Sequence, residues 1–216
     1  MPSELPDSSA DAAERWNARY AGADFLFGTS PNAWLRAHAR VWSPGARVLC
    51  IADGEGRNGV WLAQQGLHVT AFDLADRAVA KARAMAERNE VVDRFHVVIA
   101  DVDGYDWPLG VLDGVAAIFV QFADPAMRAR MFARVVAALK PGGTLVLQGY
   151  TPEQVGRSTG GPPQASHMYT EAMLRDAFAD LEIVEMRTYE DDVNEGLGHR
   201  GRSALVGMVA RRVLSR

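Results

Sequence analysis

Only one cysteine, Cys50, occurs in the 216 residues. No intrachain disulfide can therefore form, no thiolate cluster can hold a metal, and a reducing compartment fits the chain best. Also missing is any run of about 18 consecutive apolar residues, the length that a membrane-spanning helix needs. The opening residues, Met-Pro-Ser-Glu-Leu-Pro-Asp-Ser-Ser, contain neither a basic n-region nor an apolar h-region. The expected location is the cytoplasm, with no membrane as partner. Positive charge is not in excess: Lys+Arg total 23 against Asp+Glu 27, a net charge of -4. That balance gives no general attraction to phosphate backbones, so nucleic acid is not an expected partner. Internal repeats and low-complexity tracts are absent, which excludes a solenoid. His68 and His96 have no Asp, Glu or His at ligand spacing, so no metal is expected.

What is present is a 48% hydrophobic, 23% charged composition, enough to bury a substantial core in one domain over residues 1–216. Residues 1–12 are polar and proline-containing and are expected to fray. Residues 13–45 mix aromatics with glycines and are read as a cap on a core spanning 46–212. In that core, apolar runs alternate with helix-like segments. Strands are expected at 48–52, 68–72, 95–100, 115–122 and 144–148. The runs at 95–100 and 115–122 are apolar enough to lie in a sheet covered on both faces. Asp124-Pro125 is a good helix start, and Lys140-Pro141-Gly142-Gly143 a stop. The long Gly/Pro-rich stretch from Tyr150 to Met168 reads as a binding loop, a lid over the carboxyl edge of the sheet with Tyr150 and Tyr169 as walls. After a short helix from Thr170 to Phe178, segments 181–189 and 202–211 read as an antiparallel hairpin joined by an acidic loop.

Gly54-Glu55-Gly56-Arg57-Asn58-Gly59 is a G-x-G-x-x-G between a strand and a helix. Glycines there permit a tight turn and let a ligand approach the backbone near a helix N-terminus. Asp73 closes the next strand about 20 residues on, where a carboxylate can accept two hydrogen bonds from a ribose diol. The pair points to an adenosine-containing cofactor, and both NAD and S-adenosylmethionine satisfy it. Three features separate them. Asp101 closes the third strand, where a carboxylate can accept from an adenine amino group while the N–H of Val102 points at a ring nitrogen. Leu139-Lys140-Pro141-Gly142-Gly143-Thr144-Leu145 forms the turn into the fifth strand. The chain ends in a hairpin, and no Tyr-x-x-x-Lys pair is available for dehydrogenase chemistry.

At these residues, from about Val48 to Ala210, the sequence resembles the class I S-adenosylmethionine-dependent methyltransferases. The resemblance implies a Rossmann-like α/β fold: a seven-stranded, mostly parallel sheet with a C-terminal antiparallel hairpin and helices on both faces. It also implies S-adenosyl-L-methionine as cofactor. Asp53, Gly54 and Gly56 would lie beside the methionine part, Asp73 and Leu74 on the ribose, and Asp101 with Val102 on the adenine. Where the family has an acidic residue and a first glycine in the leading strand, this chain has Cys50 and Ala52, so Asp53 would have to supply the contact to the methionine amine. Within the class, Trp16-Asn17-Ala18-Arg19-Tyr20, the segment Ile51 to Asn58 and Glu195-Gly196-Leu197-Gly198-His199-Arg200 resemble the small-molecule branch that includes tellurite-resistance and thiopurine-type enzymes. That adds Arg19, Tyr20, Glu55 and Asn58 to the expected cofactor contacts.

Gln121, at the end of the fourth strand, is also expected on the ligand side, and Cys50 as a buried apolar residue rather than a nucleophile. The branch resemblance implies a small-molecule acceptor with a soft nucleophile, a thiol or a selenium or tellurium species, which needs cationic positioning more than a strong base. His199, Arg200 and Arg202 are the expected catalytic cluster. Alternatives are O- or N-methylation of a small metabolite with His199 as base, an NAD-dependent oxidoreductase, and a non-catalytic cofactor-binding module.

Overall fold

The computed structural model describes residues 9–213. Seven strands form one sheet: β1 (Arg47–Ile51), β2 (His68–Asp73), β3 (Phe95–Ile99), β4 (Leu112–Ile118), β5 (Leu139–Tyr150), β6 (Leu181–Glu195) and β7 (His199–Arg212), in the order β3-β2-β1-β4-β5-β7-β6. The first five pair in parallel, and β7 runs antiparallel to both β5 and β6. Successive side chains of a strand point to opposite faces. Val48 and Cys50 accordingly join one core with helices α3 (Arg57–Gln64) and α4 (Asp76–Arg88), while Leu49 and Ile51 join a second with α5 (Pro125–Ala138) and α6 (Glu171–Ala177). The fold is the Rossmann-like architecture that the family resemblance implies. Burial raises the Cys50 thiol well above its ordinary range, as an inert core residue requires.

Caps fix several helix starts. Asp124 accepts from the Met127 amide at 2.8 Å ahead of Pro125, and Thr170 accepts from Met173 at 3.2 Å. The segment before β1 carries two helices, α1 (Ser9–Arg19) and α2 (Ala33–His38). Residues 9–12 are thus helical instead of frayed, and the Ser9 hydroxyl donates to Asp101. The rest of the stretch expected to fray, residues 1–8, lies outside the described residues. β4 ends four residues earlier than its apolar run suggests, because Phe119 takes a left-handed φ of 55° and turns the chain. The hairpin is longer than expected: the acidic stretch read as a loop is strand, with Asp192 opposite Arg202 and Asn194 opposite Arg200. Those residues are polar because this end of the ribbon has a solvent-facing side. Among the described residues no helix is long and apolar enough to cross a membrane.

Gly114 in β4 illustrates how tightly the sheet is covered. A Cβ there would overlap the Trp42 indole, 2.8 Å from Cζ2 and nearer still to Nε1. Gly114→Ala is expected to destabilise by about 1–3 kcal/mol through overpacking, a shift that urea denaturation reads directly.

Candidate active site

At the carboxyl ends of β1, β2 and β4 lies a cleft bounded by Trp16, Tyr20 and Phe27 from the N-terminal segment, Ala52 to Gly54, Arg57, Asn58, Asp73, Leu74, Ile118, Phe119, Phe122 and His199. Such a switch point, where neighbouring strands run to opposite sides, is where open α/β sheets bind ligands. The chain leaves β1 through a turn in which Ala52, Gly54 and Gly56 all have positive φ. At Gly56 a Cβ would come 2.8 Å from that of Ala82, so the glycine lets the loop pack on α4.

Two carboxylates anchor this turn. Asp73 accepts from the Gly54 amide at 3.0 Å and from Ala75 at 2.9 Å, and Asp53 accepts from Gly59 at 3.0 Å. Burial pushes Asp73 up to about 6, against the pull of those amides, and Glu55 adds to the rise. Asp53 is pushed up to about 7 by burial, with Asp73 contributing, against the Gly59 amide and Arg57. Burial, with Asp73 and Glu55 nearby, also keeps the Tyr20 phenol protonated.

The far end of the cleft is aromatic. The His199 ring lies 4.5 Å from Phe27, 4.4 Å from Phe119 and 5.7 Å from Tyr150. Beside it Glu195 pairs with Arg57, Oε2 to Nη2 at 2.6 Å, and accepts from Asn32 at 2.8 Å. Asn32 in turn donates its side-chain amide to Gln148 at 2.6 Å and its backbone N–H to Asn58 Oδ1 at 2.9 Å, a link to the start of α3. His199 Nδ1 is 3.8 Å from Glu195 Oε2, an ion-pair distance too long for a hydrogen bond. Burial lowers the His199 pKa, Glu195 opposes, and Arg57 and Arg19 add to the fall. Burial would raise Glu195, but His199 and Arg57 hold it down to about 2. The outcome is a neutral imidazole in an apolar box next to a compensated carboxylate.

Of the residues expected at the site, Tyr20, Asp53, Gly54, Asn58, Asp73, Leu74 and His199 face the cleft. The others do not. Arg200 and Arg202 alternate with His199 along β7 and are exposed on the opposite side, where Arg202 meets Glu190 at 3.3 Å. Arg19 is exposed, its guanidinium 4.4 Å over the Trp16 ring. Glu55 is consumed by Lys81 at 2.8 Å and the Leu26 amide at 2.7 Å, tying the N-terminal segment down. Gly56 serves the packing on α4. Asp101 and Val102 are not among the residues that line the cleft; Asp101 accepts from Ser9 and from Gly104, and the Val102 carbonyl from Trp107 and Arg134. Gln121 brackets Tyr150, donating to its carbonyl at 2.9 Å and accepting from its amide at 2.6 Å. Tyr169 is buried on the α5 side against Phe132, leaving Tyr150 alone by His199. Arg57, Glu195, Asn32, Phe27 and Phe119 were not anticipated, since they meet only in three dimensions.

Comparison with known proteins places this cleft. Residues 48–143 match the family described as methyltransferase domain. Over 203 residues the chain is 30% identical to the ubiquinone biosynthesis O-methyltransferase of Xanthomonas campestris pv. campestris (strain B100), covering 85% of this chain and 83% of that protein. The chain belongs to the class I S-adenosylmethionine-dependent methyltransferases. This methyltransferase is similar in fold to a SAM-dependent methyltransferase from Methanosarcina mazei, with TM-score 0.67, 18% identity and coverage of 82% and 97% of the two chains. It is also similar in fold to TehB from Haemophilus influenzae, with TM-score 0.68, 16% identity and coverage of 93% and 66%. The enzyme's cofactor is S-adenosylmethionine, and the cleft suits it. Gly54 and the buried carboxylates of Asp53 and Asp73 line it where a cationic ligand would be favoured, and Trp16, Tyr20, Phe27, Phe119 and Phe122 supply aromatic wall.

Proposed function

We propose that this methyltransferase methylates the hydroxyl of a small aromatic acceptor, with His199 as the base. The observation that carries this is the buried His199 ring in its box of Phe27, Phe119 and Tyr150, with Glu195 at ion-pair distance behind it. A soft anion, a thiolate or a tellurium oxyanion, would call for free cations. Arg200 and Arg202 face away, and Arg57 is already neutralised by Glu195. The similarity to an O-methyltransferase supports the same reading. The acidic chain favours a small molecule over nucleic acid.

S-adenosylmethionine supplies an electrophilic methyl group on a sulfonium sulfur. Asp73 would hold the ribose hydroxyls, Gly54 would admit the cofactor to the backbone, and Asp53 would face the methionine amine. Because Asp101 and Val102 stand off the wall, the base is left to the apolar surface of Leu74 and Phe122. His199 would take the acceptor's hydroxyl proton on the ring nitrogen away from Glu195, and Glu195 would then stabilise the imidazolium. The rings of Phe27 and Phe119 would exclude water around the developing oxyanion. A transfer assay over phenols, thiols, selenite and tellurite tests the reading. Methylation of phenols is expected, and transfer confined to thiols or tellurite would overturn it.

The state of Asp73 makes a second expectation. An ionised carboxylate accepts from both ribose hydroxyls, and its protonated form loses acceptor capacity. With Asp53 titrating at about 7 and Asp73 at about 6, close to Glu55 and Tyr20, affinity for S-adenosylhomocysteine should fall as pH drops through that range. Asp73→Ala should weaken binding at least about tenfold, since hydrogen bonds to charged groups contribute about 1.5–3 kcal/mol each. It should also flatten the pH dependence. Calorimetry between about pH 5 and 8 reads both effects.

A further inference from the structure

Two polar atoms are sealed from solvent without a hydrogen-bond partner among the described residues beside the aromatic end of the cleft: Nδ1 of His199, which lines it, and the hydroxyl of Tyr150, which packs against His199 and Phe119 from outside the lining. A buried polar group left unpaired is costly and rare, and calls for a reason. His199 Nδ1 has Glu195 within ion-pair reach. Tyr150 has no such neighbour. The other unpaired atoms lie elsewhere: the Trp34 and Trp42 indoles are packed over Gly207 and Gly114, and Tyr169 sits on the α5 side. Tyr150 alone shares walls with His199, its ring 4.7 Å from Phe119.

The backbone holds this phenol in place. Gln121 grips both the amide and the carbonyl of Tyr150, and the Tyr169 amide donates to the same carbonyl at 2.9 Å. Over the hydroxyl lies Gly160, with φ 132°; a Cβ on it would overlap the hydroxyl and come 3.0 Å from His199 Cδ2. Gly160 is held through its carbonyl, and Thr159 beside it is tied to β7, its Oγ1 3.2 Å from the Arg202 carbonyl and 3.1 Å from Ser203 Oγ. Gln154 donates to the Gly160 carbonyl at 3.0 Å and to Thr159 Oγ1 at 2.8 Å, and the Arg200 amide donates to the Thr159 carbonyl at 3.1 Å. A glycine thus roofs the unpaired Tyr150 hydroxyl and abuts the Cδ2 edge of the His199 ring.

We propose that the Tyr150 hydroxyl is a specificity-determining donor to the acceptor, uncovered when Gly160 shifts. It donates to a second oxygen on the ring whose hydroxyl is methylated, with Gln121 as the positioning residue. This rests on the aromatic-hydroxyl reading of His199. A site built to hydrogen-bond a substrate atom rejects the analogue that lacks it, because the protein group is then left unpaired.

The test compares wild type with Tyr150→Phe on matched phenols, methoxyphenol against ethylphenol isomers, which differ in one ring oxygen. Wild type should favour the methoxyphenols by about tenfold or more in kcat/KM. Tyr150→Phe should lose that preference through KM, with kcat and S-adenosylhomocysteine affinity little changed. Its Tm should equal or exceed that of wild type, since a buried unpaired hydroxyl is being removed. A preference that survives the substitution, or a fall in Tm with every kinetic constant affected alike, would overturn the inference. If His199→Ala abolishes transfer while Tyr150→Phe leaves discrimination intact, only Tyr150's role falls. If wild type methylates neither phenol, the aromatic-hydroxyl reading falls, and this inference with it.

Discussion

Methyl transfer to a phenol by His199→Ala is expected to be about 10²–10⁴-fold slower than by wild type, the usual contribution of a positioned base. Cofactor binding should change far less, because Asp73 and the glycine turn lie on other elements. Single-turnover kinetics with saturating S-adenosylmethionine separate the two effects. The pH profile supplies a check that a packing role cannot mimic. The base works only when neutral, and burial with Arg57 and Arg19 nearby depresses its pKa despite Glu195. The rate should therefore hold as pH falls through the ordinary histidine value of about 6.5 and decline only below it. A rate already lost well above that value would argue against His199 as the titrating group, and near-wild-type transfer by the alanine variant would remove it from the mechanism.

The parts of this site that could be read from the sequence are those whose partners are close along the chain. Gly54 and Asp73 are 19 residues apart, joined by one amide-to-carboxylate bond that follows from adjacent parallel strands. The strand core was legible for the same reason: the apolar run at 48–52 feeds helices on both faces, and alternation fixes which residue goes where. Arg57 and Glu195 are 138 residues apart, and no local spacing joins them. The hairpin failed differently. Reading 190–201 as a loop hid the strand parity that sends His199 inward and Arg200 and Arg202 outward. Glu55 and Gln121 are bonded to backbone groups of the protein, which sequence cannot distinguish from ligand contacts because a polar residue in a ligand-binding motif can be satisfied either way.

The same long-range geometry explains how the cleft is closed. The hairpin tip packs against the N-terminal segment, where the Gly198 amide donates to the Leu26 carbonyl at 3.1 Å. A Cβ on Gly196 would overlap the Leu26 carbonyl oxygen and lie 2.5 Å from the Gly28 amide nitrogen, so only glycine allows this approach. Glu195 precedes that tip, and through Arg57 and Asn32 it fastens the hairpin to α3 and the loop before α2. Phe27 and His199 are thereby pressed together at 4.5 Å. The contacts that shape the aromatic box are thus the ones that hold the N-terminal segment over the cofactor side of the cleft.

Arg57→Ala should therefore damage both stability and catalysis. The Arg57 and Glu195 side chains are 8% and 12% exposed, and removing one partner of a buried ion pair typically costs about 3–5 kcal/mol because the other charge is left uncompensated. The pH dependence identifies the cause. In wild type the Glu195 pKa is held down to about 2, so its contribution is present above the ordinary glutamate value of about 4.3. It is lost as pH falls from there towards about 2. Without Arg57, burial favours the protonated acid, and protonation relieves the variant while it strains wild type. The stability gap measured by urea unfolding should be widest near neutral pH and narrow on acidification. A gap independent of pH would mean that lost packing, not charge, is responsible. Adding Glu195→Gln should recover much of the loss, since the uncompensated charge is then gone, whereas methyl transfer should stay low because His199 has lost the carboxylate that stabilises its charged form.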